Sequence, residues 1–136
     1  MIEINNKTKS RIDLNLVKKI VDKFLKTYKK RDCEASIAFV GDRVIRKLNR
    51  NYRETDKVTD ILSFPGEGDF LGEIIIDYAQ IKRQAKKYGK TIKQELVFIL
   101  VHGLLHLSGY NDKTEKGRRE MERLGEKFIL NCYDKN

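Results

Sequence analysis

The chain contains two histidines, His102 and His106, and both lie in the segment HGLLHLSGYND at residues 102–112. Residues four positions apart on a helix share one face, so the two imidazoles can bind a single metal ion. An isolated H-x3-H pair in an apolar segment is also typical of histidines that are merely hydrogen-bonded within a core. The pair alone leaves both interpretations open.

The residues after the pair favour the metal interpretation. Gly109 accepts the left-handed turn that ends a helix, and the chain beyond it can bring Asp112 back to the histidines. Two imidazole nitrogens and one carboxylate oxygen leave a fourth position for water, which is the arrangement of catalytic zinc. The sequence therefore predicts one Zn²⁺ per chain, bound by His102, His106 and Asp112.

This spacing also matches the HExxHxxGxxH pattern of metzincin peptidases. In that pattern a glutamate follows the first histidine and acts as the general base. Here the position is Gly103. A metal site is compatible with this sequence, but peptide hydrolysis by that route lacks its base.

Bulk composition indicates one soluble, globular domain over residues 1–136, with 36% charged and 40% hydrophobic residues. The net charge of +9 fits a polyanionic partner such as RNA, and it fits equally a lysine-rich solvated surface. We expect no signal peptide, and the longest apolar run, LVFILV at 96–101, is too short to span a bilayer. Cys33 and Cys132 are too few for a disulfide framework, so we expect a cytoplasmic chain with reduced thiols and no membrane partner.

Hydrophobic periodicity and capping signals predict the elements that position these residues. Strands are expected at 2–4, 34–40, 61–65 and 71–77. Helices are expected at 13–30, 42–49, 78–88 and 114–132, and a further helix, opened by Thr91 and Gln94, carries both histidines. Asp13 and Asp42 are the predicted caps of the first two helices, and 50–60 is a predicted loop. The pattern indicates the α+β class, with one small sheet of about four strands covered by about five helices.

Three segments resemble the YbeY family of bacterial endoribonucleases, also called rRNA maturation factors. Residues 102–112 resemble its H-G-x-L-H-L-x-G-Y-D-H signature. The segment LNRNYRETDKVTDILSFP at 48–65 resembles its LN-x2-YR…(P)T-D/N-V-L-SFP block, and LGEIII at 71–76 resembles its LGD-hydrophobic strand. Together with the C-terminal helix, the resemblance covers about residues 40–130.

The resemblance implies a mostly parallel sheet with a metalloprotease-like metal-binding helix. It also implies a cytoplasmic, zinc-dependent hydrolase that cuts single-stranded RNA, with no organic cofactor. The implied roles are 16S rRNA 3′-end processing and ribosome quality control, so the ribosome or its small subunit is an expected partner. By position, His102 and His106 match two metal ligands and Arg53 matches a functional arginine, which makes these three the expected catalytic residues.

The sequence departs from the family signature at the third ligand, where the family's Asp-His is Asn111-Asp112. Aspartate keeps a metal-binding atom at this position and changes its charge. A second departure, Val58 in place of a proline before Thr59, carries little weight.

Arg53 can give a phosphate planar, bidentate hydrogen bonds, which lysine cannot. The alternative is a salt bridge of Arg53 with Glu54 or Asp56. The cations predicted to follow the RNA backbone are Arg50, Arg53, Lys82, Arg83, Lys86 and Lys87, and the alternative for the lysines is a solvated helix face.

Aromatic residues near these motifs have predicted roles as well. Tyr52 and Phe64 are candidates for stacking on unpaired bases, although apolar packing is favoured for Phe64. Tyr110 is expected to pack beneath the metal-binding loop.

Three functions therefore remain open on sequence. The first, which the resemblance favours, is a metal-dependent endoribonuclease. The others are a zinc peptidase of metzincin-like spacing and a non-enzymatic, ribosome-associated RNA-binding protein with a structural metal.

Overall fold

A computed structural model describes residues 1–133, which form four strands and five helices. In chain order the elements are β1 (Ile2–Asn6), α1 (Leu14–Thr27), β2 (Glu34–Val40), α2 (Asp42–Arg53), β3 (Ile61–Pro65), β4 (Phe70–Asp77), α3 (Tyr78–Lys87), α4 (Ile92–Leu107) and α5 (Glu115–Tyr133). The predicted α+β class, with about four strands and five helices, is confirmed.

The four strands form one sheet in the order β1-β2-β4-β3. β1 and β4 both run parallel to β2, whereas β3 runs antiparallel to β4 and pairs Ile61 with Ile76. The sheet is therefore mostly parallel, as the resemblance implied. β3 lies at one edge of the sheet, where Pro65 at its end removes no ladder hydrogen bond from a central strand.

Alternating side chains of the strands pack into two hydrophobic clusters. Ile74 and Ile76 of β4 lie in the large core, which also contains the buried residues of α1, α4 and α5. Ile75 points to the opposite face and packs with Ile45 of α2 in a smaller cluster. Consequently α2 lies on the opposite face of the sheet from α1, α4 and α5.

Helix α4 is buried on most of its surface and carries both histidines in its last turns. The predicted capping box is present: Thr91 Oγ1 accepts from Gln94 N at 3.0 Å, and Gln94 Oε1 accepts from Thr91 N at 2.9 Å. At its other end Gly109 has φ 100°, and Tyr110 N donates to Leu105 O at 3.2 Å. Neither α4 nor any other described helix is long and apolar enough to cross a membrane.

The predicted boundaries of α2 were wrong at both ends. The N-cap is Gly41, and Asp42 lies inside the first turn, where it accepts hydrogen bonds from Arg83. The helix continues to Arg53 before Glu54 turns left-handed at φ 54°. The prediction ended the helix too early because its inner face continues with a buried polar residue, Asn49. The apolar pattern therefore stops before the helix does.

Helix α1 is shorter than predicted, because it ends at Thr27 rather than near residue 30. Lys29 turns left-handed at φ 58°, and Lys30 N donates back to Leu25 O at 2.6 Å. The predicted N-cap at Asp13 is confirmed, since its Oδ1 accepts from Leu16 N at 3.0 Å.

Candidate metal centre and active site

The side chains of His102, His106 and Asp112 converge at the C-terminal end of α4. Asp112 Oδ2 lies 3.4 Å from His102 Nε2 and 3.7 Å from His106 Nε2. The imidazole rings are 4.8 Å apart between centroids, at an interplanar angle of 76°. One ligand atom from each residue lies within 4.8 Å of the others. The turn at Gly109 therefore brings Asp112 back to the histidines, as the sequence predicted.

These distances fit a metal ion between the three side chains. Ligand atoms about 2 Å from a zinc ion, at tetrahedral angles, are about 3.3 Å from one another. The two Asp112–histidine distances of 3.4 and 3.7 Å are close to that value. Two imidazoles and a carboxylate also suit several divalent transition metals, so the donor set supports a metal site without selecting zinc.

The surroundings of His106 favour its neutral, metal-binding form. Burial lowers the pKa of His106 below its usual value, and the neighbouring His102 lowers it further. Arg53 acts in the same direction, whereas Asp112 opposes it. Metal ligation requires an unprotonated imidazole, so this environment prepares His106 to bind a cation.

The three side chains border a cavity of about 570 Å³ between α4 and the edge strand β3. Its lining comprises Tyr52, Arg53, Thr59, Asp60, Ile61, Leu62, Ser63, Phe64, Pro65, Phe98, Ile99, His102, His106, Asp112, Arg118 and Glu122. The cavity thus combines residues from α2, the connection to β3, β3, α4 and α5.

Arg53 lies in this cavity at the C-terminal end of α2. The salt bridge considered for it is absent from residues 1–133, because Asp56 instead binds Arg46 at 2.9 and 3.3 Å. Arg53 is exposed, and its charge reaches His106 strongly enough to lower the pKa of that imidazole. Its guanidinium is therefore available to an anion beside the candidate metal centre.

Two aromatic surfaces border the cavity. Tyr52, 67% exposed, packs edge-on against Phe64 at 5.3 Å between centroids. Phe64 also packs against the smaller hydrophobic cluster, so the apolar packing expected for it is present. On α4, Phe98 lies one turn before His102 on the same face, and Lys90 Nζ is 4.3 Å from its ring centroid.

A hydrogen-bond network through α3 connects Asp60, the residue before β3, to α4. Gln84 Nε2 donates to Asp60 Oδ2 at 3.2 Å and to Glu95 Oε2 at 2.9 Å. Glu95 is 2% exposed, and its other oxygen accepts from Lys90 Nζ at 3.3 Å. Because a buried carboxylate needs such partners, this network holds Asp60 at the cavity wall.

Of the predicted RNA-binding cations, only Arg53 lines the cavity. Arg50 lies on α2, and the other four lie on α3. Arg83 binds Asp42 through two hydrogen bonds of 2.7 and 3.2 Å, while Lys82 lies over the ring of Tyr78. Binding of RNA by these residues stays a prediction.

The cavity residues that were not singled out from sequence include Asp60, Ser63, Phe98, Arg118 and Glu122. Phe98 had a detectable signal, since it precedes His102 by four positions on the same helix. Asp60 directly precedes a predicted strand and Ser63 lies within it, both inside a recognised motif. Arg118 and Glu122 reach the cavity only because α5 packs on α4, which local sequence does not encode.

Tyr110 is half-buried against the large core directly after the Gly109 turn. Burial raises the pKa of Tyr28, the residue that follows α1, and the nearby Tyr110 raises it further. This position agrees with the expected packing beneath the metal-binding loop.

Comparisons with known proteins identify one family. A family model described as Endoribonuclease YbeY matches residues 3–133. Curated proteins of that name are 38% identical over 120 residues in Heliobacterium modesticaldum and 38% over 123 residues in Bacillus thuringiensis. These alignments cover 76% and 79% of this chain and 72% and 79% of the relatives.

A Myxococcus xanthus protein of the same name is 42% identical over 105 residues, or 71% of this chain. The alignment spans 35% of that protein, so the chain corresponds to about a third of this relative. The solution structure of a Thermotoga maritima protein has a TM-score of 0.69 and 29% identity, covering 95% of this chain and 87% of that one.

These matches confirm the resemblance that the three sequence motifs indicated. They also confirm, at the level of the family, the prediction of an enzyme that cleaves RNA.

Proposed function

Because the chain belongs to the Endoribonuclease YbeY family, we propose that it is a metal-dependent endoribonuclease that cuts single-stranded RNA. One observation carries the proposal. The His102–His106–Asp112 group borders the same cavity as Arg53, whose guanidinium forms no ion pair within residues 1–133. A cation site and a phosphate-binding arginine in one cavity suit phosphoryl chemistry.

The proposed cofactor is one Zn²⁺ per chain, with His102, His106 and Asp112 as ligands. A bound zinc ion supplies Lewis-acid stabilisation of phosphoryl charge and an activated water. The chain contributes three ligand atoms from one wall of the cavity and leaves the side facing β3 and α2 for the substrate.

The proposed role of Arg53 is to bind the phosphoryl oxygens of the scissile group. Its planar guanidinium can donate two parallel hydrogen bonds to them, and no carboxylate within the described chain competes for it. Charge that develops on those oxygens in the transition state strengthens these bonds, so Arg53 acts as a catalytic residue by electrostatic stabilisation.

The aromatic borders of the cavity support a single-stranded substrate. The exposed rings of Tyr52 and Phe98 offer surfaces to bases on two sides of the cavity, and bases reach such surfaces only when they are unstacked. A rigid duplex keeps its bases inside the helix, so it cannot use these contacts.

The peptidase alternative is disfavoured by the position of Gly103. A Cβ atom there would lie 2.6 Å from Ile61 Cδ1 and 3.2 Å from Ser63 Oγ. The position therefore faces β3 at close range, and a general-base glutamate there would have to displace the side chain of Ile61. The remaining alternative, a ribosome-associated protein with a structural metal, predicts RNA binding without cleavage.

The cellular role that we propose follows from the family resemblance. It is processing of the 16S rRNA 3′ end and ribosome quality control, in the cytoplasm, with the ribosome or its small subunit as the partner. The functional unit is one domain over residues 1–136. The net charge of +9 supports a nucleic-acid partner.

The test is cleavage of a labelled single-stranded RNA, and of the same RNA in a duplex, by metal-free and zinc-reconstituted protein. We expect cleavage only of the single strand and only with zinc, and we expect His106→Ala to abolish it. A casein digestion in parallel tests the peptidase alternative. RNA binding without cleavage by the zinc-loaded protein would contradict the proposal and favour the non-enzymatic one.

A further inference from the structure

We propose that an exposed row of cations on α2 binds the phosphate backbone of the RNA strand that enters the active-site cavity. The row, here called the α2 stripe, consists of Arg43, Lys47 and Arg50. This inference rests on the proposed function, because it assigns the path of the substrate to a second surface of the molecule.

The stripe follows from helical geometry. Lys47 and Arg50 lie four and seven positions after Arg43, so all three project from one side of α2, and all three are exposed. Arg53 ends the same helix three residues later and lines the active-site cavity. From Arg43 to Arg53 the helix rises about 15 Å, a length that spans several phosphates of an extended strand.

The positive charge of the stripe is not neutralised within residues 1–133, where none of its three cations forms an ion pair. Two nearby acidic residues are already paired with other arginines. Asp42 binds Arg83 at 2.7 and 3.2 Å, and Asp56 binds Arg46 at 2.9 and 3.3 Å. Unneutralised cations in a row repel one another, and a polyanion relieves that repulsion.

The stripe also borders a second concave surface, whose lining residues are neighbours along the chain of residues that line the active-site cavity. This groove lies between α2 and the connection to β3, and Val58 forms part of its opposite wall. Two chain segments link the groove to the cavity. Arg50 and Arg53 lie one turn apart on α2, and Val58 is followed directly by Thr59, which lines the cavity.

The chemistry of the groove favours the backbone of RNA over its bases. Its lining contains the three cations of the stripe, Arg46 paired with Asp56, and Asp42 paired with Arg83, but no aromatic side chain, so it offers positive charge without a stacking surface. The aromatic rings of Tyr52 and Phe98 lie instead at the cavity. Phosphates would therefore be bound along α2 independently of sequence, and bases would be contacted near the metal centre.

The experiment compares two variants with the same change in charge. The stripe variant combines Arg43→Gln, Lys47→Gln and Arg50→Gln. The control variant combines Lys9→Gln, Lys18→Gln and Lys19→Gln. It alters exposed lysines on α1 and the segment before it, and α1 lies on the opposite face of the sheet. The probe is a fluorescent, 2′-O-methylated single-stranded RNA, which resists cleavage, and its affinity for zinc-loaded protein is measured over a salt series.

Each phosphate contact in a single strand contributes about 0.7 to the slope of log K against log salt. We therefore expect the slope of the stripe variant to be smaller than that of the unsubstituted protein by about 2. The slope of the control should change by less than about 0.7, the value for one phosphate contact. Equal losses in the two variants, an unchanged slope in the stripe variant, or no binding by the unsubstituted protein would each overturn the proposal. Melting temperatures of both variants show whether they fold.

The binding assay separates this inference from the proposed function. Stripe-dependent binding by a protein that cuts no RNA would leave the stripe standing and overturn the nuclease assignment. Cleavage by the unsubstituted protein, together with unchanged binding by the stripe variant, would support the nuclease assignment and overturn the stripe proposal.

Discussion

Replacing Asp77 with asparagine is expected to change how the stability of the fold depends on pH. Asp77 ends β4 and caps α3, and it has no exposed surface. Its Oδ1 accepts from Ala79 N at 3.1 Å, whereas Oδ2 has no hydrogen-bond donor. Burial, together with the neighbouring Asp42 carboxylate, raises the pKa of Asp77 to about 7, and Arg83 opposes this only weakly from 3.9 Å.

The sign of the effect follows from proton linkage. The ordinary pKa of 3.8 applies to the unfolded chain, so between about pH 4 and pH 7 the folded protein holds a proton that the unfolded chain has lost. Stability from this group is therefore complete below about pH 4 and falls as the pH rises to about 7. A difference of about 3 pKa units corresponds to at most about 4 kcal/mol.

Asparagine keeps the cap and removes the titration. Its carbonyl oxygen can accept from Ala79 N, and its amide carries no charge that burial and the Asp42 carboxylate disfavour. Relative to the unsubstituted protein, Asp77→Asn should become more stable as the pH rises from 4 to 7, by up to about 4 kcal/mol, and the difference should then stay constant.

The assay is urea unfolding of both proteins at pH values from 4.5 to 8.5. Asp13→Asn, the same substitution at the exposed N-cap of α1, measures the effect of exchanging a capping carboxylate for an amide. A stability difference between Asp77→Asn and the unsubstituted protein that does not change with pH would refute the reasoning.

Three further predictions concern the strands and the cavity. Gly72→Ala should lower the free energy of unfolding by about 3 kcal/mol or more, because φ is 145° and a Cβ atom would overlap the backbone oxygen of Phe64. Thermal melts measure the loss. Gly41→Ala is the control and should show no comparable loss, because Gly41 has open space around it. Arg53→Lys should reduce kcat/KM for single-stranded RNA about 10- to 100-fold, as expected for about 1.5–3 kcal/mol of lost charged hydrogen bonding. Its melting temperature and metal content should stay unchanged. An unaltered kcat/KM would show that Arg53 has no catalytic role. Tyr52→Ala should weaken binding of single-stranded RNA by about 1–3 kcal/mol if a base stacks there, and equal binding by the two proteins in a fluorescence titration would exclude that contact.

The geometry of the candidate metal centre was largely predictable because its determinants are local. Helical spacing places His102 and His106 on one face, and a single glycine, Gly109, reverses the chain so that Asp112 returns to them. Capping signals at Thr91 fixed the start of the same helix. Each of these features depends on residues no more than about ten positions apart in sequence, which sequence patterns report well.

The rest of the site depends on packing between distant elements. The buried polar residue Asn49 interrupts the apolar pattern of α2, so the last turn of the helix, and with it the position of Arg53, was assigned to a loop. Asn49 is buried because its amide donates to Lys57 O at 3.0 Å, a contact across the connection to β3. Likewise, Arg118 and Glu122 enter the cavity only through the packing of α5 on α4.

The ion pairs between distant residues could not be predicted from local sequence either. Arg83 belongs to a basic helix and was predicted to bind RNA, yet it lies beside Asp42, which is 41 positions away in sequence. This ion pair occupies an acidic residue at the start of α2, so that within residues 1–133 Asp42 forms no ion pair with the α2 stripe.

The central claim is that His102, His106 and Asp112 together bind one divalent metal, and X-ray absorption spectroscopy of the zinc-loaded protein tests it most directly. Cys33 and Cys132 are free thiols, so the spectrum also distinguishes this site from thiolate binding. We predict one zinc per chain with two imidazole ligands at about 2.0–2.1 Å, oxygen in the remaining positions and no sulfur at about 2.3 Å. We also predict one imidazole fewer in His102→Ala and weaker zinc binding in Asp112→Ala. A sulfur ligand, or zinc content and coordination unchanged in both variants, would contradict the account.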